Sequence, residues 1–169
     1  MSLLLISLAQ QPQEQGQQFV NELIGPTCRS MPFPGFCISI FQSDYRSARA
    51  RTQKDLAWII VDHTMSKARE IANKAHPLML TLHPPSQRLR DALMEYGCQY
   101  RSLRDHDLEL VYIYFHVKEF KKAGKTLDGV ADQAEELSKL FTGMDNPLKN
   151  DHEFFLKAVR IAMVIVGSL

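Results

Sequence analysis

Asp62-His63 is the most reactive-looking pair in the chain, because a carboxylate beside an imidazole can act as acid, base or metal ligand. His83 is a second imidazole that could join it, and Asp44 a second carboxylate. Each lies just beyond an apolar run that reads as a strand. In an open parallel sheet, ligands bind beyond the carboxyl ends of the strands, so Asp62, His63 and His83 are the catalytic candidates. Asp and His are also ordinary turn and capping residues at such junctions, the plainer reading of the same pair. Their spacing demands no divalent ion, and no metal site is expected.

Phosphate chemistry finds little support. A dinucleotide fold shows glycines after its first strand, whereas this chain has Ala9-Gln10-Gln11-Pro12 there. Gly124-Lys125-Thr126 has the form of the end of a P-loop, but the position five residues before Gly124 is Glu119 rather than glycine. No cofactor is expected.

Two basic clusters remain. Arg46, Arg49, Arg51 and Lys54 form the first, and Lys118, Lys121, Lys122 and Lys125 the second, with Phe120 among them. Such clusters could neutralise phosphates of a nucleic acid or meet an acidic protein, although solvated helices carry the same residues. The net charge is only +1, yet residues 44–125 hold 15 Lys/Arg against 10 Asp/Glu and the rest of the chain 5 against 9. The middle is basic and the ends are acidic.

The last candidate is an interface. Phe154, Phe155, Val159, Ala162, Met163 and Ile165 belong to a C-terminal helix on which only Lys157 and Arg160 make a polar strip. A helix apolar around most of its circumference must be covered, either by its own fold or by a second copy. A homo-oligomer is the expectation drawn from it.

The elements that would position these residues read as an alternation. Leu3–Leu8, Phe36–Phe41, Leu56–Val61, Pro77–Leu82 and Leu108–Val117 are apolar runs with the length of buried strands. Between them, helical spacing appears at Phe19–Ile24, stopping at Gly25-Pro26; at Tyr45–Lys54; at Met65–Ala75; and at Leu89–Tyr96, opened by Ser86 and stopped by Gly97. Two helices close the chain, one capped by Thr126 and running to Gly143, the other capped by Asp151. Residues 44–75 also fit one helix of about thirty residues, longer than usual. The six consecutive apolar residues from Leu56, with Trp58 and β-branched neighbours, favour the strand.

With 169 residues and 45% apolar content, the chain can build one core. Cys28, Cys37 and Cys98 are an odd number without C-x-x-C spacing, and read as small buried hydrophobes rather than a disulfide framework or zinc site. Met1–Ala9 lacks a basic n-region and is followed by glutamines, so it does not read as a secretory leader. The run Phe154–Val166 is too short and too charged to span a membrane. A cytoplasmic protein without membrane contact is expected.

The sequence therefore predicts a single α/β domain over residues 1–169, with 126–169 a C-terminal helical pair. Its mostly parallel central sheet of about five strands is flanked by helices. It becomes α+β if residues 44–75 form one long helix. The leading functional expectation is a non-catalytic binding or assembly protein, oligomerising through its last helix and contacting an anionic partner through its basic middle. The alternative is a small enzyme or ligand-binding protein with a site at the sheet edge around Asp62, His63 and His83. Whether the chain catalyses anything is left open by these residues.

Overall fold

The structure, a computed structural model, describes residues 22–81 and 86–169. Among them there is no strand. Seven α-helices run in the order α1 (Ile24–Arg29), α2 (Pro34–Gln42), α3 (Gln53–Thr81), α4 (Gln87–Ser102), α5 (Glu109–His116), α6 (Phe120–Leu137) and α7 (Lys149–Gly167), with short 3₁₀ turns at Tyr45–Arg49 and Ser138–Phe141.

The predicted sheet is thus overturned. Phe36–Phe41 lies in α2, Leu56–Val61 and the described part of Pro77–Leu82 lie in α3, and Leu108–Val117 is mostly α5. Leu3–Leu8 lies outside the described residues. The error has one physical source. A helix covered by neighbours on two flanks buries a wide arc, and its sequence then shows unbroken apolar runs that periodicity alone does not separate from a buried strand. In α3, Leu56, Ile60, Thr64, Ala68 and Ala72 form a buried i+4 row, widened by Ala57, Val61, Ile71 and Ala75. Thr64 satisfies its hydroxyl by donating to Ile60 O at 2.8 Å. The long-helix reading of residues 44–75 was correct from Gln53 onward, and the helix continues through Pro77 to Thr81.

Four rods make a bundle: α3, the continuous α4–α5 rod, α6 and α7. Each packs on its two neighbours, α3 on α4 and α7, and α6 on α5 and α7. Adjacent rods are antiparallel, as Gly97 of α4 sits against Ala75 of α3, and Tyr112 of α5 reaches back to Asp62. A π-helical turn at Leu103–Leu108 joins α4 to α5. Its i→i+5 pattern stacks Leu103 and Leu108 toward the core, both fully buried, where an α-turn would swing the second one away.

Three predicted helix ends are also corrected. Gly97 is interior to α4 rather than a stop. Thr126 is interior to α6, its hydroxyl donating to Lys122 O at 3.0 Å, and Asp151 falls in the first turn of α7 instead of at its cap. Ser86 does cap α4, accepting from Leu89 N at 3.2 Å. The helix expected to stop at Gly25-Pro26 mostly lies outside the described residues, and α1 passes through both.

In front of the bundle, α1 and α2 form a hairpin closed by a disulfide between Cys28 and Cys37, whose Cα atoms are 5.5 Å apart. Both are fully buried, so the burial expected of them holds while their reading as thiols does not. Among the described residues only Cys98 is a free cysteine, and it is exposed, contrary to the burial expected of it.

The apolar circumference of α7 is accounted for within the chain. Phe155, Val159, Ala162 and Ile165 are fully buried, and Phe154 and Met163 half-buried against the same core. Phe154 meets Phe36 of α2 edge-on at 4.9 Å. The four buried residues belong to the inside of the bundle, where α7 packs on α3 and α6, and Phe154 and Met163 pack against its edge, so the six do not support the predicted oligomer interface. No helix among the described residues is long and apolar enough to cross a membrane.

Candidate functional site

Asp62 and His63 lie mid-helix in α3, with no strand end beside them, so the sheet-edge constellation they were to anchor does not exist. His83 lies outside the described residues. The pair instead belongs to an ion-pair network that pins the 3₁₀ turn Tyr45–Arg49 to the bundle. Arg46 Nη2 bridges Asp44 at 2.7 Å and Asp62 at 2.8 Å. His63 Nε2 approaches Asp44 at 2.9 Å, and Tyr112 donates its hydroxyl to Asp62 at 2.8 Å. Burial works to raise the Asp44 carboxyl, but hydrogen bonds from the Arg46 side chain and backbone outweigh it and hold the group below its usual range. Burial and the Asp62 carboxylate push the Tyr112 phenol well up, so it remains a donor. Asp44, Arg46, Asp62, His63 and Tyr112 thus each have a structural partner within the network, and together they act as a clamp.

Beside the clamp, at the N-terminal end of α3, is a groove of about 560 Å³. Arg46, Arg49, Arg51 and Lys54, the first basic cluster, all line it, and Trp58, Phe115 and His116 form its aromatic floor. Trp58 lies 5.2 Å from the Phe115 ring and 5.3 Å from the His116 ring. The groove's one carboxylate, Asp55, is turned to its own helix start, accepting from Arg51 N at 2.8 Å and Thr52 N at 2.9 Å. Those backbone hydrogen bonds, against a smaller effect of burial, hold Asp55 below its usual range.

The second cluster stands at the same end, on the turn from α5 to α6. Lys118 occupies the left-handed region with φ of 60°. Lys121, Lys122 and Lys125 are exposed. Lys122 pairs with Glu119 and lies 5.6 Å from the Tyr114 ring. The two clusters meet through Lys54, whose Nζ is 5.9 Å from the Phe120 ring. No group of three His, Cys, Asp or Glu side chains able to hold a metal occurs among the described residues.

A third feature was missed from sequence. On α5 and its C-terminal cap, Leu110, Ile113 and Val117 are 41, 48 and 60% exposed. Their i, i+3, i+7 spacing puts them on one stripe, opposite the buried Val111 and Phe115. Read as a helix, Leu108–Val117 would have shown both faces, and Trp58 would have fallen one turn after Lys54. The strand assignment hid these signals.

The chain matches the plant invertase/pectin methylesterase inhibitor family over residues 22–151, well over half of its length. No curated protein sequence matches it. Among the solved structures that share its fold are two inhibitors. One is a mutant form of a pectin methylesterase inhibitor from Arabidopsis, 19% identical with a TM-score of 0.72, the match covering 84% of this chain and 93% of that one. The other is a pectin methylesterase inhibitor from Arabidopsis thaliana, 16% identical with a TM-score of 0.64, covering 87% and 95%. Together with the absence of strands among the described residues, this overturns the expected α/β assembly protein with a nucleic-acid surface. It equally overturns the alternative of a small enzyme around Asp62, His63 and His83. The partners named by the family description are enzymes, hence proteins. The bundle, its disulfide-closed hairpin and the extent of the match lead to one conclusion: the chain belongs to the plant invertase/pectin methylesterase inhibitor family.

Proposed function

We propose that this chain is a protein inhibitor that docks on a pectin methylesterase through the exposed face of α5. The observation that carries the docking face is the Leu110, Ile113 and Val117 stripe, apolar side chains left in water on an element whose opposite side is fully packed. Lys122 over Tyr114 gives that stripe a charged flank, the arrangement of an apolar interface core with a polar rim. Family membership supplies the class of partner.

The test is an inhibition titration of a plant pectin methylesterase, with an invertase as the second target. The wild-type protein should inhibit the esterase. Ile113→Asp with Val117→Asp should weaken inhibition by at least about 30-fold, corresponding to loss of one apolar anchor of about 2 kcal/mol, with an unchanged melting temperature. Full activity of both enzymes in excess folded inhibitor would refute the reading. Full inhibition by the double variant would remove α5 as the docking face. The Cys28–Cys37 disulfide further supports an oxidising compartment for this chain rather than the cytosol. Alkylation and mass mapping of protein from its native source should find these two cysteines blocked together, and free thiols there would argue for the cytosol.

A further inference from the structure

We propose that the basic groove between the 3₁₀ turn, α3 and α5 holds a carboxylate-bearing sugar chain, a polyuronate such as de-esterified pectin. Three observations lead there. First, the groove carries uncommitted positive charge. Arg46 is neutralised by Asp44 and Asp62, but Arg49, Arg51 and Lys54 form no ion pair among the described residues. Asp55 does not balance them, since its Oδ2 is taken up by Arg51 N, Thr52 N and the Thr52 hydroxyl. Second, the floor is aromatic and rigid. Trp58 is held between Tyr112 at 4.6 Å and Phe115 at 5.2 Å, half-buried and open on the groove side. A flat apolar surface beneath a cationic rim suits a sugar ring, whose C–H face stacks on an indole while its carboxylate meets guanidinium groups. Third, the positive end extends beyond the groove, because Lys118, Lys121 and Lys125 stand on the neighbouring turn and helix. A ligand with charges repeated along its length engages such a field better than a single small anion.

The choice of a uronate rests on the inhibitor reading: an esterase acting on pectin methyl esters leaves carboxylates on the sugar chain where it works. The groove would then hold the inhibitor on the product of the enzyme that it restrains.

Trp58 is the only tryptophan in the chain, so its fluorescence reports this groove alone. De-esterified oligogalacturonate should change the emission saturably, and its fully methyl-esterified counterpart should not. Arg49→Gln with Arg51→Gln should weaken the response at least about tenfold without changing the melting temperature, and Lys54→Gln should weaken it less. An unchanged emission at saturating oligogalacturonate overturns the proposal. So does an equal response to dextran sulfate, which would make the groove a generic polyanion surface. Esterase binding is measured separately, by calorimetry without pectin. If the double Arg variant loses the esterase while the wild type ignores the oligomer, the groove belongs to the enzyme's acidic surface and the proposal falls. If the wild type binds oligogalacturonate but no esterase, the inhibitor reading falls and the groove assignment stands.

Discussion

His152 is buried on α7, hydrogen-bonded through Nδ1 to the Tyr100 hydroxyl at 2.6 Å, while its Nε2 has no partner among the described residues. Burial lowers its pKa from the ordinary 6.5, outweighing the Glu153 and Glu135 carboxylates that favour the charged ring. The unfolded chain therefore takes up a proton at 6.5 that the folded chain refuses. Stability from this site is present above that pH and falls as the pH drops toward the lower folded value. We expect the urea midpoint to decline from pH 6.5 to about 5, and His152→Gln to flatten that decline. An identical profile in the variant would show that other groups set it. Asp44, Asp55, Glu70 and Asp151 are held below their ordinary values, so their contribution is lost only at lower pH, as each takes up a proton. Asp44 is the centre of the clamp on the 3₁₀ turn. Its side chain is 6% exposed and meets both Arg46 and His63. Asp44→Asn should destabilise by about 1–2 kcal/mol by chemical denaturation, since two donors lose a charged acceptor at a partly solvated site. A change below about 0.3 kcal/mol would mean that the clamp is decorative.

At the scale of elements, the contact between α3 and α4 depends on Gly97. A Cβ there would stand 2.9 Å from Ala75 Cβ, an atom that cannot swing aside, so the helices would have to part. Gly97→Ala should lower stability by about 1–2 kcal/mol even though alanine is the better helix former by up to ~1 kcal/mol. A higher melting temperature in that variant would show that the two helices yield easily. The α1–α2 hairpin depends on its disulfide, which closes a loop over a sequence separation of 9. Replacing Cys28 and Cys37 with alanine should cost about 2–3 kcal/mol, and hydrogen exchange should rise first in α1 and α2, if the cross-link acts chiefly on the unfolded chain. Helices at Gln87–Ser102, Phe120–Leu137 and Lys149–Gly167 overlap those that periodic spacing predicts, with different ends. Each is amphipathic enough to report its own period. Leu56–Val61 and Leu108–Val117 are not, because α3 and α5 present apolar atoms to two or more neighbours and, on α5, to water as well.

For the whole molecule, far-UV circular dichroism should show a helix-dominated spectrum without a sheet contribution, and a β-rich spectrum would refute the bundle. The sequence alone was enough to place the charge in the middle, to set one core of sufficient apolar content, and to mark Arg46, Arg49, Arg51 and Lys54 as a cluster. These are local properties, read from composition and spacing along one stretch of chain. The tertiary structure decided the rest. It paired Cys28 with Cys37, sheathed α7 between α3 and α6, bound Arg46 to Asp62, and set Trp58 beneath the remaining cations. Coverage, ion pairing and a groove floor are relations between segments distant in sequence. An apolar run looks the same whether a sheet or three helices bury it, and only the packed bundle distinguishes them.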